Sequence, residues 1–258
     1  MKIIFLGVGE AFDENYPNNS ILILGKKTNL MIDCGDAAVR QLWIYIRDNK
    51  LDHNLIDGIY ITHRHSDHLF GLPALISRMH EEKRTKPFTI ICTKELKEDI
   101  ARICNHAYQG LETNFTFELN FLVIESDKTF NFNEFILSFV ETAHSTVNLA
   151  IKISDNKNSI YYSGDGPYNK KVEELIKNTD LLIHEAYLFD KRIIGHECIT
   201  ELIELVKINQ LKCLALVHLN KHFRKNDIEM IKNKIKQENS KEKIKIILPE
   251  PFDEYELS

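Results

Sequence analysis

Long hydrophobic runs are missing from this sequence. The longest, residues 3–9, holds seven residues even with its glycines counted, far short of the roughly 18 a membrane-spanning helix needs. No membrane span is therefore expected. Glu10 and Asp13 follow that run at once, unlike the order of a secretory leader. Cysteine is sparse: five residues, at 34, 92, 104, 198 and 213, with no CxxC pair. That argues against a disulfide framework and zinc-finger spacing, and points to a reduced, cytoplasmic setting. An excess of basic charge is missing too. The 258 residues carry 33 Lys+Arg against 38 Asp+Glu, −5 at pH 7, which disfavours non-specific wrapping of nucleic acid. Linkers, repeats and low-complexity segments are absent, so residues 1–258 read as one domain, long enough to bury a substantial core.

What is present is an alternation of β-like and helical periods. Strands are expected over 3–6, 21–24, 29–33, 58–62 and 88–92. Helices are expected over 36–48 with Asp36 as cap, over 71–80, and over 94–106 behind the cap Thr93. The middle third is strand-rich: Phe115, Phe117 and Leu119 alternate, as do Phe130 and Phe132, ahead of strands over 135–140, 149–153 and 160–163. Period-two phenylalanines would suit a base-stacking platform, but far more often they form the core face of a sheet, and that reading is preferred. The last third pairs helices over 170–177, 199–208 and 226–237 with strands over 181–184, 213–217 and 244–248. This pattern predicts an α/β fold of two sheets packed face to face with helices outside.

The densest chemistry is His63-Arg64-His65-Ser66-Asp67-His68, directly after the β-like run Ile59-Tyr60-Ile61-Thr62. Four imidazole and carboxylate ligands within six residues suit zinc, and can also hold manganese or iron. A lone histidine is more often structural or exposed; the coincidence of type and spacing sets this group apart. Three more candidates close apolar strands in the same way: His144, Asp165 and His218. Polar residues just beyond strand ends land on one rim of layered sheets. Together the seven suffice for two metals sharing one carboxylate.

HxHxDH at 63–68, followed by His144, Asp165 and His218, resembles the metallo-β-lactamase fold superfamily. Leu6-Gly7-Val8-Gly9, Ile32-Asp33-Cys34-Gly35, Gly71-Leu72-Pro73, Tyr162-Ser163-Gly164-Asp165, Ile183-His184-Glu185-Ala186 and Gly195-His196 resemble segments of its ribonuclease Z-like phosphodiesterase branch. The resemblance implies a four-layer αββα sandwich of two facing mixed sheets, and two zinc ions with manganese or iron as alternatives. His63, His65 and His144 would hold one ion, Asp67, His68 and His218 the other, with Asp165 bridging. Such a pair shares a hydroxide nucleophile and stabilises phosphoryl charge, so no covalent serine or cysteine is needed. Asp67 would also orient the attacking water, and Asp33 would support the ligand loop, its alternative being an ordinary turn residue. Glu185 would orient His196 to protonate the leaving oxygen, unless both are merely surface residues. His184 is expected to be structural.

Two features of the tRNA-processing members are missing. Their long arm lies between the third metal histidine and the bridging aspartate, where His144 and Asp165 here stand only 21 positions apart. Nor does Asp13-Glu14-Asn15-Tyr16-Pro17-Asn18-Asn19 resemble their basic loop. The expected partner is a small anionic phosphodiester such as a cyclic nucleotide. Nucleic acid is less favoured but stays open, because 221–245 holds nine Lys/Arg against four Asp/Glu. The preferred reading of that segment is a solvated helix with Ile228, Ile231 and Ile235 turned inward. Competing functions are a tRNA 3′-processing endoribonuclease, a lactone or thioester hydrolase, and a binding module without catalysis. A homodimer is left open.

Overall fold

The computed structural model describes residues 1–110, 115–241 and 244–257. In the first half, strands β1 (Lys2–Gly7), β2 (Ser20–Leu24), β3 (Asn29–Ile32), β4 (Gly58–Tyr60), β5 (Phe88–Cys92) and β6 (Leu119–Val123) lie side by side in chain order. The second half repeats the plan in β7 (Thr129–Phe132), β8 (Phe135–Glu141), β9 (Leu149–Ser154), β10 (Ser159–Tyr162), β11 (Leu181–Glu185), β12 (Cys213–Val217) and β13 (Lys245–Ile247). The last strand, β14 (Glu254–Glu256), returns to the first sheet and pairs with β1. Each sheet has an antiparallel part and a parallel part, switching at β3 in one and β10 in the other.

Helices α1 (Ala38–Asp48), α3 (Leu72–Glu81) and α4 (Lys94–Ala107) connect the parallel strands of the first sheet, with the single turn α2 (Ser66–Leu69) ahead of α3. Helices α5 (Lys170–Leu175), α6 (Ile199–Ile208) and α7 (Lys221–Lys241) do the same for the second. Strand β1 shows why the layers stack. Ile3 and Phe5 point into the core between the sheets, while Ile4 and Leu6 pack under the helices. Side chains alternate across a strand, so one covered on both faces reads as a continuous apolar run. A third core lies between the second sheet and its helices, where Ile231 and Ile235 are buried and Ile228 packs alongside. The result is the expected four-layer αββα sandwich. Among the described residues no helix is long and apolar enough to cross a membrane.

Three local expectations need correction. Phe115 and Phe117 are not in a strand, because the ladder with β5 begins only at Phe88, opposite Leu119 and bonded to the Glu118 carbonyl. The two rings stack at 5.3 Å, and Phe117 is buried beneath the outer helices, so the core reading of these aromatics stands. Asp36 does not cap α1; Ala37 holds that position and no side chain accepts there. Helix α7 starts at Lys221 because Asn220 Oδ1 accepts from the amides of His222 and Phe223, a cap just upstream of the expected start at 226. Thr93 does cap α4, its hydroxyl accepting from Leu96 N–H.

Candidate metal centre

Parallel strands leave their carboxyl ends at one rim, and the crevice where strand direction switches is where such sheets place ligands. Residues 63–68 follow β4, His144 follows β8, Asp165 follows β10, and His218 follows β12. All seven candidate ligands meet there in two groups, His63, His65, His144 and Asp165, and Asp67, His68, Asp165 and His218. Asp165 belongs to both. Its Oδ2 stands 3.8 Å from His63 Nε2 and 3.7 Å from His144 Nε2. Its Oδ1 stands 3.4 Å from His68 Nε2 and 3.5 Å from His218 Nε2. Asp67 Oδ2 lies 3.2 Å from His68 Nε2 and 3.3 Å from His218 Nε2.

Four of the five histidines are aimed by partners on their other nitrogens, whereas His218 Nδ1 is buried without one. His68 Nδ1–H donates to Asp33 Oδ2 at 2.7 Å, which leaves its Nε2 lone pair for the cluster. Thr62 donates its hydroxyl to Asp33, so it can only accept from His63 Nδ1–H at 2.9 Å. Asp33 thus stands behind one histidine of each group. It also accepts from Thr62 N–H at 2.8 Å and Tyr162 Oη–H at 3.0 Å. His144 Nδ1–H donates to Gly195 O at 3.0 Å, and Ser145 Oγ lies 3.3 Å from His65 Nε2. Asn148 ties the His144 and Asp165 loops together, donating to Thr142 Oγ1 and Asp165 O and accepting from Asp165 N–H.

This donor set fits divalent metal. His63 Nε2, His68 Nε2 and Asp165 Oδ1 are buried, face the cluster and have no hydrogen-bond partner, a costly state unless a cation completes them. Charge is arranged to match. Burial opposes ionisation of Asp67 and Asp165, yet His68 and His218 hold both carboxyls well below the usual range. Against its own burial, His218 is raised to about 9 by Asp165 and Asp67. His68 is also raised, burial being outweighed by Asp165, Asp67 and Asp33. His63 goes the other way, lowered by burial and then by His68, and His65 follows, lowered by burial and His144. A cation entering beside His68 and His218 therefore displaces protons, while His63 and His65 are already neutral.

Glu185 ends β11 fully buried, and His196 sits with Nδ1 3.5 Å from Glu185 Oε1. That oxygen already accepts from the amides of Glu197 at 2.7 Å and Gly166 at 3.2 Å. The pair is therefore brought together, a buried Glu185 behind a half-buried His196 on the cavity wall, but as a contact longer than a good hydrogen bond. Tyr187 stacks on the His196 ring at 4.5 Å. His184 turns away from the rim, bonding Glu185 O and stacking on Tyr161. A cavity of about 350 Å3 lies over the centre, lined by Asp67, Asp165, His196 and His218 among others. Sequence reading missed Ser145, Asn148, Tyr162, Tyr187 and the Gly195 carbonyl; only the position of Gly195 beside His196 hinted at its part.

Known proteins resemble this chain over most of its length. Residues 1–241 match the family model described as Anti-Pycsar protein Apyc1. A ribonuclease Z of Thermococcus sibiricus is 26% identical, the match covering 100% of this chain and 99% of the relative. The metallo-β-lactamase fold protein YhfI from Bacillus subtilis superimposes with a TM-score of 0.77 at 20% identity, over 98% of each chain. Human tRNase Z, short form, does so at 0.76 and 22% identity, over 100% of each. At those identities the two structures speak for the fold. The chain belongs to the Anti-Pycsar protein Apyc1 family, in the ribonuclease Z-like branch of the metallo-β-lactamase superfamily, and is a metal-dependent hydrolase.

Proposed function

We propose that this chain, acting as one hydrolase domain over 1–258, is a phosphodiesterase for a small phosphodiester such as a cyclic nucleotide, using two zinc ions or, in their place, manganese or iron. The observation that carries the reading is Asp165, whose two oxygens face two separate groups of donors. His63, His65 and His144 would hold one ion, and Asp67, His68 and His218 the other. Bound there, such ions supply an activated water at neutral pH and stabilise charge on phosphoryl oxygens.

The chain's own residues do the rest. Asp67 lines the cavity and accepts a hydrogen bond from the attacking water, orienting it. His196, also on the cavity wall, carries a proton to the leaving oxygen, and Glu185 stands behind it, 3.5 Å from its Nδ1. Tyr187 limits tilt of that ring. No serine or cysteine nucleophile is required.

A small substrate is supported by the cavity of about 350 Å3, the size of small-molecule sites. The hairpin of strands β9 and β10, with its turn at 155–158, uses up most of the span between His144 and Asp165, leaving no length for an arm. Much of the basic charge of α7 is already met, Arg224 by Glu250, Lys221 by Glu14 and Lys234 by Glu238. The decisive assay is hydrolysis of bis(4-nitrophenyl) phosphate with zinc or manganese added, with turnover lost in His65→Ala. Protein that opens lactones or thioesters but cleaves no phosphodiester overturns the reading; in that case Glu185→Gln and His196→Ala would matter little. A second reading, an endoribonuclease, is favoured by the full-length match to ribonuclease Z. It predicts binding of a tRNA precursor that weakens steeply with salt.

A further inference from the structure

The cavity has an apolar lip that phosphate chemistry does not use. Phe12, from the connection between β1 and β2, and Ile194, from the connection between β11 and α6, both line it. Their side chains are exposed to 76% and 102% of the reference surface. Large apolar side chains left in water beside a ligand site mark an interaction surface. Their backbones are not loose. Phe12 N–H donates to Glu10 Oε2 at 2.9 Å, and Lys221 Nζ donates to Phe12 O at 2.9 Å. The same connection is pinned beside the ligand His218, where Gly9 bridges to Leu219 and His218 N–H donates to Val8 O. Ile194 sits in a tight turn closed by the bridge of Ile193 to His196, and the next residue, Gly195, accepts from His144. Two free apolar side chains are thus presented on anchored backbone at the mouth of a site whose floor is carboxylate and imidazole.

Polar groups of the lip are committed elsewhere: Glu10 to the Phe12 amide and Ser145 to His65. Beside the exposed Ser66, the mouth offers a ring face and an aliphatic side chain. An aromatic face attracts another planar ring and does not compete for the anion below it.

We propose that Phe12, flanked by Ile194, is the base-binding subsite: it stacks on the planar ring of a nucleotide whose phosphodiester lies over the metal ligands. This rests on the phosphodiesterase reading above. The test compares adenosine 3′,5′-cyclic monophosphate with ribose 3′,5′-cyclic phosphate, which lacks the base, on wild type, Phe12→Ala, Phe12→Trp and Ile194→Ala. A base–aromatic stack predicts that the wild-type preference for the base-bearing probe, as a ratio of kcat/KM, falls about tenfold in Phe12→Ala. In Phe12→Trp it is kept or increased, and in Ile194→Ala it falls by a smaller factor. Calorimetric binding of the phosphorothioate analogue of the cyclic nucleotide should weaken by the same factor in Phe12→Ala, a readout that needs no turnover. An unchanged ratio together with unchanged analogue binding overturns the subsite, as does Phe12→Trp behaving like Phe12→Ala. Failure of the phosphodiesterase reading shows differently: wild type then cleaves neither probe nor bis(4-nitrophenyl) phosphate.

Discussion

The two halves of the metal centre share Asp165 and differ in almost everything else. Asp67, His68 and His218 are buried throughout, whereas His65 and His144 are only partly so. The deep half is braced by a carboxylate, Asp33 on His68. On the outer half, His65 and His144 rest on neutral partners from loops, Ser145 Oγ and the Gly195 carbonyl. Electrostatics divides the same way, with His68 and His218 raised and His63 and His65 lowered. On the proposed two-ion reading the halves would divide the work: the deep half would hold an ion enclosed by buried ligands, and the outer half one held by ligands that are partly exposed.

Removing what the halves share should do most damage. Asp165→Ala is expected to empty both halves and lower turnover by more than about 100-fold, since losing mere support for a ligand already costs about 10–100-fold. Metal analysis with the phosphodiester assay checks this; a full equivalent of metal with normal turnover would break the comparison. Next comes Asp33→Asn, which keeps shape and removes the brace. Zinc affinity of the deep half should fall roughly 10–100-fold, and that of the outer half less, because Asp33 reaches His63 only through Thr62. Competition with a chromophoric chelator reads both constants.

The raised pKa of His218, about 9, fixes a sign. Below that pH the metal-free imidazole is protonated, and a cation must displace the proton, so affinity for the deep half drops about tenfold for each proton and pH unit on going down. The outer half, with His63 and His65 already neutral, should be nearly flat from neutral pH upward. Titrations of metal affinity between pH 7 and 9 that showed equal slopes for both ions would remove the distinction. The smallest effect is expected from Gly195→Ala. Gly195 has φ +80°, and an added Cβ would meet His144 Nδ1 at 3.2 Å. The left-handed backbone costs a non-glycine residue about 1–2 kcal/mol, so the outer half should weaken roughly 5–30-fold by that measure while the deep half holds.

How much of this could be read beforehand follows from how each residue is delivered. The run 63–68 puts four ligands into one strand end, so spacing alone exposed it. His144, Asp165 and His218 were legible because each closes an apolar strand, and strand ends share a rim. The supports were not, because they depend on distant pairings: Gly195 with His144 across 51 residues, and Tyr162 with Asp33 across 129. Nothing local marks a glycine carbonyl or a tyrosine hydroxyl for such work. The layers were predictable from apolar runs covered on both faces, but β14 was not, being three residues, Glu254–Glu256, whose pairing with β1 gives no local pattern. Phe115 and Phe117 failed as a strand for a similar reason, a periodicity without a neighbour to bond. Asp36 looked like a cap because only the observed backbone decides where a helix begins.

On the proposed reading, one carboxylate, Asp165, would join two ion sites of unequal depth. Anomalous diffraction at the zinc edge, from crystals grown with zinc, tests it most directly. Two peaks are predicted, one on each side of Asp165, between His63, His65 and His144 and between Asp67, His68 and His218, with the latter the first to fill at limiting zinc. A single peak at saturating zinc, or two peaks that do not flank Asp165, would contradict the account.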